Sequence, residues 1–296
     1  VKNFDYKAPT SLGEAIGLLR EKGERARVMA GGTDLIVQLR AGRFDLDLVV
    51  DSKRIPELSQ LSFDATRGLT IGAAVPCHRI YEDEVVAAHY PGLIDSATII
   101  GGVQIQSRAS IGGNLCNASP SGDSIPSLIA YQTTALITGP NGNREVPVEQ
   151  FCTAPGRTVL QQGEMLVSLR LPAPKPHSGA FYLRFIPRYE MDIAIVGVGA
   201  SVVLSDDLGT ITEARVSLGA VAPTPLYVAE AGASVAGRPA TEATIALAAQ
   251  IAKDAARPIS DMRGTIEQRK HLASVLTTRA LRGAIARAKG EHVNAH

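Results

Sequence analysis

Tryptophan is absent from the 296 residues, and aromatic side chains make up only 4% of them. A surface that stacks exposed nucleobases, or a membrane protein belted with indoles, is therefore not expected. An excess of charge is missing too: 30 Lys and Arg stand against 29 Asp and Glu, a net charge of +1. With no long-range field to gather a polyanion, neither nucleic acid nor an anionic membrane is an expected partner, and any bound anion must be held by local geometry. Cysteine occurs only at Cys77, Cys116 and Cys152, too scattered for a four-cysteine zinc or iron-sulfur site. Of the six histidines only His292 and His296 stand four apart, and they lie in the polar tail beyond the last expected helix, so no metal site is expected. No run of 18 apolar residues offers a membrane span, and no leader-like segment opens the chain. Three scattered thiols fit a reducing compartment, and the expected location is the cytoplasm.

Signature motifs are missing as well. GxxxxGK[ST], HExxH and GxSxG do not occur, and no residue stands out as a catalytic acid, base or nucleophile. Gly197-Val198-Gly199 opens like a dinucleotide fingerprint, but Val202 stands where the third glycine belongs. That segment reads instead as a strand packed closely on its neighbours.

What the chain does have is glycine, 28 residues of it, concentrated where small polar residues also gather. Gly31-Gly32-Thr33-Asp34 leaves a strand expected over 27–30, and Ser110-Ile111-Gly112-Gly113-Asn114 is a second glycine segment. A Gly-Gly turn lets successive backbone N–H groups point into one concavity, which can bind phosphate oxygens without Lys or Arg. Either both are plain turns, or the pair grips the two anionic groups of a pyrophosphate.

Around these segments the pattern predicts an α+β chain in three units, 1–55, 56–176 and 177–296. Ser11 with Glu14 forms a capping-box signature ahead of a helix over 12–22. Strands are expected near 46–50, 69–75 and, with alternating burial, 164–171. A broken helix is expected over 85–100, a further helix over 125–131, and a hairpin turns at Gly139-Pro140-Asn141-Gly142. Pro172, Pro174 and Pro176 disfavour both helix and central strand and mark a boundary. Beyond it, three antiparallel strands over 182–186, 193–204 and 211–218 precede helices over 241–255 and 265–288.

Ala30-Gly31-Gly32-Thr33-Asp34-Leu35, then Ser110 to Asn114 followed by Ala118-Ser119-Pro120 and Asp123, then Glu164 to Pro172, Arg184 with Arg188, Asp192-Ile193-Ala194, and Arg263-Gly264-Thr265 onward to Arg282 together carry a resemblance. In order and spacing the chain resembles the FAD-binding medium subunit of the molybdenum hydroxylases, the family of xanthine dehydrogenase and aerobic carbon monoxide dehydrogenase. The resemblance implies a two-part FAD-binding domain of the PCMH type followed by a C-terminal antiparallel sheet with helices. It implies that Ala30, Gly31, Gly32, Thr33, Asp34 and Leu35, with Ser110, Ile111, Gly112, Gly113 and Asn114, wrap the FAD pyrophosphate. Asp123 would accept from cofactor hydroxyls, Ile100 and Leu166 would pack on its rings, and Arg184 would stand beside the flavin. The cysteine-bearing insertion that some relatives carry for an extra cluster is missing, so the molybdenum cofactor and [2Fe-2S] clusters are expected on partner chains.

The expected function is then an electron-transfer flavoprotein. A large molybdenum subunit would oxidise the substrate, a small iron-sulfur subunit would relay electrons to this chain's FAD, and an external acceptor would remove them. Two other classes remain open at this point: a self-sufficient FAD-dependent oxidoreductase of related fold, and a nucleotide-binding or assembly protein without redox chemistry.

Overall fold

The computed structural model describes residues 2–188 and 191–295. Helix α1 (Leu12–Lys22) starts where the capping signal predicts: the Ser11 hydroxyl accepts from Glu14 N–H, and the Glu14 carboxylate reaches back to Thr10 N–H, each at 3.3 Å. It crosses between two parallel strands, β1 (Asp5–Lys7) and β2 (Ala26–Met29). After β2 the chain turns at the first glycine pair into α2 (Leu35–Arg40) and returns as β3 (Leu48–Asp51), which lies between the other two. The sequence pattern gave no sign of β1, whose three residues are all exposed.

The second sheet, wholly antiparallel, has the order β4 (Leu61–Asp64), β5 (Gly68–Gly72), β10 (Met165–Leu171), β6 (Thr134–Gly139) and β7 (Gly142–Pro147). Between β5 and β6 run the short helices α3 (Cys77–Tyr81), α4 (Glu84–His89), α5 (Pro91–Ala97), α6 (Val103–Gln106), α7 (Ile111–Asn117) and α8 (Ser124–Ala130). A small hairpin, β8 (Cys152–Ala154) with β9 (Arg157–Thr158), precedes β10. Strand β10 was expected to alternate, yet every residue but Arg170 is buried. The reason is that both its faces are covered: Met165 and Val167 join the core of the first sheet, while Leu166, Leu169 and Leu171 join that of the second. A register shift between Leu166 and Ser168 accommodates the change of side.

The third sheet comprises β11 (Ser178–Phe185), β12 (Val196–Leu204), β13 (Thr210–Gly219) and the short β14 (Leu226–Tyr227), with β15 (Arg238–Pro239) also paired to β13. Helices α9 (Ala229–Val235), α10 (Glu242–Ala255) and α11 (Ile266–Ala288) pack with it into one core. Helix α8 approaches this sheet so closely that a Cβ on Gly199 would lie 2.4 Å from the Pro126 carbonyl oxygen. The glycines of the would-be dinucleotide fingerprint are therefore packing residues. Asp95 of α5 accepts from Arg287 of α11 at 2.6 and 2.9 Å and from the Tyr182 N–H at 3.1 Å, a buried ion pair joining the second and third sheets' layers. No helix among the described residues is long and apolar enough to cross a membrane. The fold is thus α+β, with the glycine pair after β2 set against the second layer.

Candidate functional site

A cleft of about 730 Å³ runs between the first sheet and the second layer, a size within the usual range for small-molecule sites. Its wall includes Ala30, Gly31, Gly32, Thr33, Asp34 and Leu35 from the turn after β2. Gly31 is pressed against the other side: a Cβ there would lie 1.8 Å from the Arg108 carbonyl oxygen. The turn therefore touches the backbone just ahead of the second glycine segment, and two regions nearly eighty residues apart in sequence meet without a side chain between them. Gly32 adopts φ +78°, which an L-residue rarely does. Among the described residues nothing accepts from the N–H groups of Gly31, Gly32, Thr33 or Asp34, so four successive donors are available to an anion in the cleft. Asp34 also lines the cleft, and desolvation by partial burial raises its carboxyl above the ordinary carboxylate range.

The second segment is not a loop, contrary to the expectation from sequence. Ser110 is the N-cap of α7, its hydroxyl accepting from Gly113 N–H at 3.0 Å, and Ile111, Gly112, Gly113 and Asn114 form the first helical turn. The cap is worth about 1 kcal/mol. Glycine's poor helix propensity hides the helix from sequence inspection; Gly112 is there because a Cβ would lie 2.5 Å from the Ala73 carbonyl oxygen. Ser110, Gly112, Gly113 and Asn114 line the cleft, whereas Ile111 is turned into the core. Asn114 Oδ1 accepts from the Ser124 hydroxyl at 2.7 Å, leaving the amide N–H groups of that side chain as further donors. Ile100 and Leu166 also line the cleft.

Asp123 and Arg184 are not among the lining residues. Asp123 is buried where the second layer meets β11: Tyr182 Oη donates to its Oδ1 at 2.9 Å and Arg184 Nη1 to its Oδ2 at 2.7 Å. Each carboxylate oxygen retains one lone pair for another donor. Burial pushes the Asp123 carboxyl up to about 6, against the opposing pull of Arg184 and Tyr182. Because the folded value lies above the ordinary 3.8, this group's stabilisation is complete at low pH and is lost as pH rises through about 6. Asp123→Asn should therefore flatten the pH dependence of the melting temperature between pH 4 and 6; parallel curves for variant and parent would disprove it.

Several lining residues had no signal in the sequence. Val28, Met29, Leu160 and Met165 supply an apolar stretch, and Arg27, Arg43, Phe44 and Arg157 supply a basic end. Each is an ordinary strand or loop residue until the fold assembles them. The donors, the turn without side chains and the apolar stretch together fit a ligand with a pyrophosphate between ring systems. Among the described residues no group of three His, Cys, Asp or Glu could hold a metal ion.

Comparison with known proteins agrees with this geometry. Residues 2–174 match the family model described as the FAD binding domain in molybdopterin dehydrogenase, and residues 181–284 that of the CO dehydrogenase flavoprotein C-terminal domain. The chain is 33% identical over 288 residues to the xanthine dehydrogenase FAD-binding subunit of Escherichia coli O157:H7, covering 97% of each. It is 34% identical over 292 residues to the carbon monoxide dehydrogenase medium chain of Afipia carboxidovorans, covering 97% of this chain and 98% of that one. The structure of carbon monoxide dehydrogenase from Hydrogenophaga pseudoflava superposes on it with a TM-score of 0.92 at 31% identity, covering 97% of this chain and 98% of that chain. A matching fold, relatives more than 30% identical and two matched domains over almost the whole length place the chain in the family of FAD-binding medium subunits of the molybdenum hydroxylases.

Proposed function

We propose that this chain holds FAD in the cleft and acts as the electron-transfer flavoprotein of a complex with a small iron-sulfur and a large molybdenum subunit. The observation that supports it most is the run of four acceptor-free N–H groups at Gly31, Gly32, Thr33 and Asp34, set in backbone contact with the segment leading to Ser110. Those donors would hold one phosphate, and the Gly112 N–H with the Asn114 side-chain amide the other, since the N–H groups of Gly113 and Asn114 already donate to Ser110. Ile100 and Leu166 would pack on the ring systems, and Asp123 with Arg184 would form a charged pair behind them. When bound, FAD would supply the redox chemistry, both one-electron and two-electron transfer, that such a position between clusters on a small subunit and an external acceptor requires. This chain's own residues bind and orient the cofactor and shield it from water.

We also read the chain as three units, 1–55, 56–176 and 177–296, a division supported by sheets contained within 5–51, 61–171 and 178–239; Val1 and His296 lie outside the described residues. Cys77, Cys116 and Cys152 are all free thiols, which supports a cytoplasmic setting.

The cofactor should be FAD and not FMN, and bound without a covalent link. Cys116 lines the cleft, but burial pushes its thiol up to about 12, so the nucleophilic thiolate is scarce at neutral pH. Acid precipitation of the purified chain followed by chromatography tests both points. FAD in the supernatant is expected; FMN there, or colour retained in the pellet, would overturn the proposal.

A further inference from the structure

Strand β11 is the end strand of the third sheet, so one row of its backbone groups has no neighbouring strand. Its odd-numbered residues face β12, since the Leu204 N–H donates to the His177 carbonyl and the Ile195 N–H to that of Phe185. The even-numbered ones therefore point outward. The buried Asp95–Arg287 pair plugs the first part of this edge: Arg287 donates to the Ala180 carbonyl at 2.8 Å, and the Tyr182 N–H donates to Asp95 at 3.1 Å. Beyond the plug, nothing among the described residues pairs with the Tyr182 carbonyl or with the backbone N–H and carbonyl of Arg184. Beside these groups a groove of about 540 Å³ runs between β11 and α11. Leu183, Phe185 and Leu276 make its wall apolar, and Phe185 is left 37% exposed. Arg279 and Arg282, both exposed, add two cations. Arg282 meets Glu242, but Arg279 makes no hydrogen bond or ion pair among the described residues, and no carboxylate lines the groove. The groove shares no lining residue with the cleft.

We propose that this edge and groove dock one extended, acidic segment of a partner subunit, which adds a short strand to β11 at Arg184. The inference rests on the reading of the chain as one member of a multi-subunit complex. Donors and acceptors set at strand spacing are matched by another main chain, which alone offers both at the same repeat. Side chains of an added strand alternate in turn. Those on the α11 side would lie against Leu183, Phe185 and Leu276, and a carboxylate among them would pair with the free Arg279. A second copy of this chain is a poorer occupant. Antiparallel pairing of two β11 edges would bring the Arg279 and Arg282 of one copy toward those of the other, and like charges disfavour that.

The test is hydrogen–deuterium exchange at single-residue resolution, on the FAD-loaded chain alone and in its purified native assembly. The Arg184 amide should exchange about tenfold or more slowly in the assembly, because only there does it have an acceptor. Arg279→Glu should return it to the free-chain rate or cost the assembly a subunit, while Arg279→Lys keeps both the subunit and the slow exchange. Circular dichroism and flavin content verify the fold and the cofactor of each variant. An Arg184 amide that exchanges equally fast in the intact assembly, or protection that Arg279→Glu leaves untouched, overturns the docking site while leaving the reading of the complex intact. Protection that grows with the concentration of the lone chain assigns the edge to a second copy and overturns it as well. A chain that forms no assembly overturns the reading of the complex, and the docking site with it.

Discussion

Gly31→Ala loses FAD by on the order of a hundredfold, equivalent to about 2.7 kcal/mol, in a titration that follows flavin fluorescence. The new methyl would sit 1.8 Å from the Arg108 carbonyl oxygen, far inside contact distance and against backbone that cannot swing aside. Relief requires the turn after β2 to withdraw from the segment leading to Ser110, and withdrawal parts the two sets of donors that a pyrophosphate would need together. Two other glycines calibrate the result. Gly32→Ala is strained by its positive φ, at about 1–2 kcal/mol, but its methyl would meet only the movable ends of Ile36 and Met29. Gly17→Ala, in the middle of α1 with nothing within 4 Å, should raise stability by about 0.5–1 kcal/mol and leave FAD binding unchanged. If Gly31→Ala binds FAD within threefold of the parent, the contact between the two segments is irrelevant to the cofactor.

Arg287→Ala has the largest expected effect on stability. Its removal takes the guanidinium from the buried Asp95 carboxylate and the donors from the carbonyls of Ala180 and Val293. Truncating one partner of a buried ion pair costs about 3–5 kcal/mol. In a chain of this size that lowers the melting temperature by roughly 10 °C. Since the pair joins α5 to α11, calorimetry should also show the third sheet's layer melting ahead of the rest. The exposed pair Arg282–Glu242 offers the contrast, since Arg282→Ala should cost at most about 1 kcal/mol. Equal melting curves for the two variants would show that the buried pair contributes nothing to holding the layers together.

Local signals were legible where a residue's role is set by its immediate neighbours. Ser11 and Glu14 announce α1 because capping is a matter of four residues, and Gly31-Gly32 announces a turn because the positive φ of Gly32 excludes most side chains. The first turn of α7 was misread for the same reason in reverse. Gly112 is dictated by the Ala73 carbonyl, about forty residues earlier, and propensity sees only the glycine. Strand β10 looked half-exposed because its sequence does not say that a second core covers its other face. The cleft's basic end was invisible, since Arg27, Phe44 and Gly156 belong to three elements that meet only in the finished fold. Asp123 was picked out by resemblance, but its partners Tyr182 and Arg184 lie some sixty residues on, beyond any local pattern.

The two-sided burial of β10 has a consequence for the order in which the protein is made. Met165 and Val167 complete the core in which Ala15, Leu19, Leu48 and Val50 are buried, yet they leave the ribosome more than a hundred residues after β3. During that interval the apolar face of the N-terminal helices and strands has only Ile55, Leu58 and Ala74 to cover it. The first layer cannot settle as an independent vectorial step, and the cleft takes shape only when β10 arrives to form its floor. Premature termination between β3 and β10 would therefore release a chain whose N-terminal layer is exposed to proteases and chaperones.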